Sequence, residues 1–189
     1  MRTKAISPVI ATVIIVSVAI AIAVAVAFWM TGITGLFTRY EKLEVVNAYA
    51  IANSSSVGTS GFSAKNEKVW AIVLTVKNTG TSDATLDALF INGKPFEVFE
   101  NTSLINATAL TSENFTGLPS TGVVKVTSSS AKKPGDWTLP GGTYSLPVGK
   151  QVTLVIPIAS GDGFSSGQIV EVKIHTAAGN EYPKSVQLP

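Results

Sequence analysis

The sequence has 189 residues, of which 46% are hydrophobic and 14% are charged, and its formal net charge is +2 at pH 7. It contains no cysteine, which excludes disulfides, iron–sulfur clusters and cysteine-ligated zinc sites. Positions 51–189 hold ten lysines and ten acidic residues, so this part is neutral and offers no basic surface for nucleic acid.

A long uncharged segment runs from Ile6 to Phe37. Its 32 residues exceed the roughly 20 that cross a bilayer as a helix. Within it, Ala19–Ala27 alternates small and β-branched residues with a period of two, which taken alone also fits a strand. A single strand in lipid leaves its backbone polar groups unpaired, whereas a helix pairs them internally. Since no Gly or Pro interrupts residues 9–31, the sequence predicts a helix.

The residues before this helix indicate its orientation. Arg2 and Lys4 precede it, and positively charged flanks are retained in the cytoplasm, so the domain that follows is expected outside. A secretory signal has an apolar core of about 7–15 residues that ends in a cleavage site. Here the apolar stretch is longer, and the processing-like pair Lys4-Ala5 lies before it.

The segment Ile6-Ser7-Pro8-Val9-Ile10-Ala11, preceded by this basic leader, resembles the start of many archaeal type IV pilins. The resemblance implies a class III, prepilin-type leader over residues 1–5, which a membrane prepilin peptidase would cut between Ala5 and Ile6. Lys4, Ala5 and Ile6 are then the processing site, and the helix stays on the mature chain. The alternative interpretation is a plain signal anchor.

The predicted helix is apolar on every side, so every side must be kept from water. Exposing some fifteen to twenty Val and Ile side chains would cost on the order of 30 kcal/mol, which excludes a soluble extracellular monomer. Lipid covers such a helix in the membrane, and outside the membrane only other copies of the chain can do so. Room for close helix packing is left by Ser17 and by the alanines at 19, 21, 23, 25 and 27.

The pattern changes after Gly32 and Gly35. These glycines fit either a local bend or close packing in a straight helix. Beyond them, a set of uncharged residues recurs at helical spacing, with charged residues between its members. The set is Leu36, Tyr40, Leu43, Asn47 and Ala50. This spacing predicts an amphipathic continuation, so that the helical segment covers residues 6–50.

Residues 51–189 are rich in Ser, Thr and Gly and contain short alternating runs separated by turns. Such runs occur at residues 69–77, 151–158 and 169–176, and a last short strand is predicted around Tyr182–Leu188. Asn92-Gly93 between two apolar runs predicts a two-residue hairpin with a type I′ turn. Roughly seven to nine short strands predict a β-sandwich. The VKNTG turn, this hairpin and the closing hairpin resemble the immunoglobulin-like outer domain of archaellins and archaeal pilins.

Residues with catalytic or metal-binding chemistry are sparse. His175 is the only histidine, and alternation places it on a polar strand face as a solvated residue. One His without Cys cannot form a zinc site, and a serine triad would need a base with an orienting carboxylate in a cleft. Asp83, Asp87 and Asp162 lack the acidic density of a calcium loop, and the glycine pairs lack the spacing of a phosphate loop. We therefore expect no catalytic residue, cofactor or metal.

Trp70 and Trp137 offer rings that stack on sugars, although a place in the core is expected for Trp70. Four Asn-x-Ser/Thr triplets predict N-glycosylation in surface loops, at Asn53, Asn101, Asn106 and Asn114. Sugars there would cover the low-charge outer face of the protein.

The sequence thus predicts an α+β chain with a leader at residues 1–5, a membrane and filament-core helix at 6–50, and an immunoglobulin-like sandwich head at 51–189. The expected function is structural: a membrane-inserted precursor that assembly machinery polymerises into an extracellular adhesive pilus. An archaellum filament subunit is one alternative. A membrane-anchored minor pilin or carbohydrate-binding surface module is another.

Overall fold

The computed structural model describes residues 7–37, 39–53, 68–99, 105, 110–112, 114–128, 136–139 and 141–189. The chain forms two compact units, Met1–Tyr40 and Glu41–Pro189. The predicted processing site Lys4, Ala5 and Ile6 and the predicted glycosylation sites Asn101 and Asn106 lie outside the described residues.

The first unit contains one helix, α1, which covers the 30 residues Pro8–Phe37. Pro8 occupies the first helical position, where its missing N–H is harmless. The Ser7 carbonyl accepts the N–H groups of Ile10 and Ala11 at 3.0 and 3.2 Å, which starts the helical ladder. The helix continues through Gly32 and Gly35, so the predicted uncharged helix is confirmed.

The predicted amphipathic continuation of this helix is wrong. The helix ends at Phe37, and residues Leu43–Ala52 form strand β1 instead. β1 pairs antiparallel with the next strand from Leu43↔Asn78 to Ala52↔Trp70, with a register shift between Val45 and Asn47. Its side chains Val45, Ala48 and Ala50 pack against the main core, and this pairing overrides the helical spacing of the sequence. The second unit therefore begins before residue 51.

The second unit is a sandwich-like body of two five-stranded sheets, which together with α1 confirms the predicted α+β class. Sheet A has the strand order β1-β2-β8-β5-β6, and sheet B has the order β10-β9-β3-β4, with β7 paired to β3. The strands are β1 (Leu43–Ala52), β2 (Val69–Asn78), β3 (Ala84–Ile91), β4 (Lys94–Pro95), β5 (Val123–Ser128), β6 (Trp137–Leu139), β7 (Tyr144–Leu146), β8 (Gln151–Ala159), β9 (Ile169–Thr176) and β10 (Glu181–Gln187).

The predicted hairpin turn lies between β3 and β4. Asn92 and Gly93 both have positive φ, at 49° and 76°, as a type I′ turn requires. The Asn92 side chain also accepts the Glu171 N–H at 2.9 Å, which ties the turn to the neighbouring strand β9. The hairpin prediction is confirmed.

The apolar residues of the body form two clusters on opposite faces of sheet A. The larger cluster lies between the sheets and includes Trp70, Ile72 and Leu74 from β2. The alternate residues of β2 belong to a second cluster on the outer face of sheet A. That face is covered by Ile105, Leu110, Phe115 and Leu118. Strand β2 is consequently buried on both faces.

Asn78 ends strand β2 and is fully buried. Its Nδ2 donates to the carbonyls of Ser82 and Leu146, both at 2.9 Å, and its Oδ1 accepts the Gly80 N–H at 2.9 Å. One side chain thus closes the turn after β2 and joins it to β7.

Replacing this side chain is expected to destabilise the body. Asn78→Ala removes the side-chain donor of two carbonyls, while the Gly80 N–H keeps its bond to the Lys42 carbonyl at 3.1 Å. Because each buried unpaired group costs about 1–3 kcal/mol, we expect a loss of roughly 2 kcal/mol. Chemical unfolding of the full chain in detergent measures the change. Asn47→Ala, at an exposed position of β1, is the control. Equal stability of the two variants would contradict this role.

Tyr182 lies at the start of β10 and packs against the main core. Its burial, together with the Glu41 carboxylate, raises the pKa of its phenol above the usual 10.0, although a backbone hydrogen bond with Leu43 partly opposes this. The unfolded chain therefore loses the phenolic proton at a lower pH than the folded chain.

Stability is expected to fall in alkaline solution because of this difference. The contribution of Tyr182 is constant below pH 10.0 and is lost as the pH rises from there through the raised pKa of the folded state. Thermal unfolding of wild type and Tyr182→Phe at stepped pH measures the effect. Wild type should lose stability relative to Tyr182→Phe only above this threshold, and parallel curves would contradict the expectation.

Candidate membrane and assembly surface

Helix α1 carries an apolar surface that no other described residue of its unit covers. Fourteen large apolar side chains between Val9 and Met30 are 49–76% exposed. They are Val9, Ile10, Val13, Ile14, Ile15, Val16, Val18, Ile20, Ile22, Val24, Val26, Phe28, Trp29 and Met30. These side chains lie on all sides of the helix, so packing only one side of α1 would leave many of them in water. Their burial requires lipid or protein around the whole helix.

The hydroxyl groups of α1 are already hydrogen-bonded within the helix. The hydroxyls of Thr12, Ser17, Thr31 and Thr34 donate to backbone carbonyls three or four residues earlier, at 2.7–2.9 Å. A hydroxyl bonded in this way carries no unpaired donor into an apolar environment. The helix is therefore suited to a dry environment despite its four hydroxyl groups.

Small residues form a row on α1 at intervals of four residues. The row consists of Ala19, Ala23, Ala27, Thr31 and Gly35. Residues four apart lie along one ridge of a helix, and small side chains there let a second helix approach closely. A Cβ added at Gly32 or Gly35 would meet no atom within 4 Å. Each helical Gly costs about 1 kcal/mol relative to Ala, and no close contact among the described residues requires Gly at either position.

The segment Pro8–Gly35 is long and apolar enough to cross a membrane. Its length, composition and position near the N-terminus are those of a membrane anchor or of a signal sequence. The expectation of a membrane-associated N-terminal segment agrees with this finding.

The alternation of β9 predicted a solvated His175, but the structure gives this side chain a carboxylate partner. Its Nδ1 lies 2.7 Å from Asp87 Oδ1, and both side chains are about one-third exposed. Asp87 is aimed at His175 because the β3–β9 register shifts between Leu86 and Ala88, and such bulges re-aim a side chain. A single-sequence alternation carries no signal for this shift.

The other charged candidates also have structural partners. Lys173 Nζ lies 2.9 Å from Glu181 and 5.2 Å from the centre of the Phe90 ring. Asp83 Oδ1 accepts the Val148 N–H at 2.9 Å, and Asp162 ends a short 3₁₀ turn. Within the described part of the chain, no three His, Asp or Glu side chains are grouped so as to hold a metal.

Both candidate sugar-stacking tryptophans are core residues. Trp70 and Trp137 are each 1% exposed. The Trp70 indole N–H donates to the Pro189 carbonyl at 3.1 Å, and that of Trp137 donates to Gly142 at 2.9 Å. The core position predicted for Trp70 is confirmed, and neither ring offers a face to a carbohydrate.

Two of the predicted glycosylation sites fall in the described residues. Asn53 follows β1 and is partly exposed. The sequence predicted a surface position for Asn114, whose side chain is only 8% exposed. Of these two, Asn53 offers the more accessible side chain to a glycan.

No protein-family model matches the sequence, and no curated protein matches it either. Conclusions about the candidate surface therefore rest on the residues of this chain alone.

A charge in the middle of α1 should weaken the insertion of the helix into a membrane. Val18 is 52% exposed, and Val98, in the 3₁₀ turn after β4, is 59% exposed. Val18→Asp places a carboxylate at the helix centre, where it costs roughly 2.5–3.5 kcal/mol in a membrane. Alkaline extraction of membranes should release more of Val18→Asp than of wild type. Val98→Asp is the matched control and should behave as wild type; equal release of both variants would contradict a membrane role for α1.

Proposed function

We propose that this protein is the structural subunit of an extracellular type IV-like pilus and that it polymerises through α1. The observation that carries the proposal is the contrast between the two units. The body Glu41–Pro189 encloses its own hydrophobic core, whereas α1 is apolar on all sides and uncovered in its unit.

Only two environments meet the burial requirement of α1. Lipid covers the helix in the membrane-inserted precursor, and the same helix from other copies covers it once the chain has left the membrane. A bundle of α1 helices then forms a dry filament core that displays the bodies outside. The internally bonded hydroxyls suit both environments, because none of these four hydroxyls has to find a new partner on transfer.

The small-residue row favours helix packing over lipid as the final state. Lipid chains adapt to any side-chain shape, so they give small residues and glycines no advantage. Packing between helices does give small residues an advantage, because they allow two helix backbones to approach closely. The row consists of Ala19, Ala23, Ala27, Thr31 and Gly35.

The sequence resemblance supplies the remaining parts of the proposal. A prepilin peptidase removes residues 1–5 between Ala5 and Ile6, and the assembly machinery extracts the helix from the membrane. Adhesion is the proposed use of the filament. An anchored module that stays monomeric would use the same helix, but it has no need of the small-residue row.

Filling the small-residue row should block polymerisation and leave membrane insertion intact. Ala23→Leu adds apolar volume, which lipid accepts, whereas overpacking a well-packed interface costs about 1–3 kcal/mol at each contact. Val24→Leu, on the neighbouring residue, is the matched control because Val24 is already large. We expect Ala23→Leu to be found in membranes but lost from sheared filaments, with Val24→Leu present in both. Filaments of normal yield from Ala23→Leu would contradict packing through this row.

The proposal as a whole is tested on filaments sheared from cells. N-terminal sequencing and intact mass of the main filament protein should give Ile6 as the first residue, and excess mass would report glycans. An intact Met1, or a chain found in membranes and absent from filaments, would instead support the anchored module.

A further inference from the structure

Helix α1 is longer than the apolar layer it is proposed to cross. Its 30 residues extend about 45 Å at 1.5 Å per residue, and the hydrocarbon core of a bilayer is about 30 Å thick. About twenty residues therefore lie in hydrocarbon, and the others lie at the level of the lipid headgroups. The composition of the two ends of α1 indicates which residues lie in the hydrocarbon and which lie at the headgroups.

The last part of α1 differs from the rest. Residues 9–28 contain no glycine and only the hydroxyls of Thr12 and Ser17. Residues 29–37 contain the single Trp of the helix, both of its glycines and the hydroxyls of Thr31 and Thr34. Aromatic residues with a polar atom concentrate where hydrocarbon meets headgroups. The composition therefore places that boundary near Trp29.

Trp29 differs from the other two tryptophans in its indole N–H. Those of Trp70 and Trp137 donate to carbonyls within the body. Trp29 is 69% exposed, and across the described residues its N–H has no acceptor. An unpaired N–H in hydrocarbon is costly, whereas lipid carbonyls, phosphates and water at the headgroup level accept it.

From these observations we infer that α1 has a fixed depth in the bilayer, with Val9–Phe28 across the hydrocarbon and Trp29 at the outer headgroup boundary. Arg2 and Lys4 precede Val9 by a few residues, which suits the inner headgroups. A span centred on the helix would instead cover residues 13–32 and bury the Trp29 N–H in hydrocarbon. The inference rests on the membrane-inserted stage of the proposed function and does not depend on polymerisation.

The depth of Trp29 is measured by fluorescence quenching in liposomes that contain the full chain and no assembly machinery. Lipids brominated near the headgroup should quench Trp29 more strongly than lipids brominated deep in the acyl chain. Trp70 and Trp137 provide a background that neither lipid reaches. In the double variant Trp29→Phe with Val18→Trp, the order should reverse, because position 18 lies near the bilayer centre.

Cysteine labelling provides a second measurement, because the chain has no cysteine of its own. In the same liposomes, a water-soluble maleimide should label Thr34→Cys and should fail to label Val18→Cys and Val26→Cys. Stronger quenching of Trp29 by the deep probe, or labelling of Val26→Cys, would overturn the inferred depth. Absence of quenching by both lipids would overturn the membrane-inserted stage as well, whereas a failure to form filaments in cells would leave the depth unaffected.

Discussion

The removal of apolar surface from water on both faces of β2 organises the body. From Val69 to Leu74 this strand is buried on each side. Sheet B covers one face, and Ile105, Leu110, Phe115 and Leu118 cover the other. Strands β1 and β8 pair along both of its edges, and Asn78 closes its end. Residues of the body itself therefore bury both faces of β2.

The apolar surface of α1, in contrast, is not removed from water within its own unit. Its side chains from Val9 to Met30 are exposed around the whole helix, and a soluble helix would present at least one polar face. The chain thus combines a body that encloses its own hydrophobic core with a helix whose apolar side chains are exposed within its unit. In the proposed function this difference separates two tasks, because the helix exchanges lipid for other copies while the body keeps its fold.

The sequence predicted those features that depend on local pattern. The uncharged run predicted α1, period-two alternation predicted β2, β8 and β9, and Asn92-Gly93 predicted its turn. It did not predict β1, because Leu43–Ala52 fits helical spacing as well as alternation, and only pairing with β2 decides between them. The Asp87–His175 pair depends on a register shift, and the burial of Asn114 depends on tertiary packing. At the candidate surface, the apolar character of α1 followed from composition. The hydrogen bonds of its hydroxyls, and the lack of an acceptor for the Trp29 N–H among the described residues, depend on the three-dimensional structure.

The side-chain volumes of α1 carry information that its hydropathy does not. A helix that only had to cross lipid would gain from large apolar residues at every position, since each buried CH₂ contributes about 0.8 kcal/mol. Instead α1 has alanines through its centre and glycines at 32 and 35, where a side chain would have room among the described residues. The alanines reduce the gain from lipid, and the glycines reduce both this gain and the stability of the helix. Close approach of another helix offsets such a loss, because backbone contacts replace the missing side-chain contacts. Because the alanines and glycines bury less apolar surface in lipid, they also lower the free energy needed to move α1 from the membrane into the proposed filament.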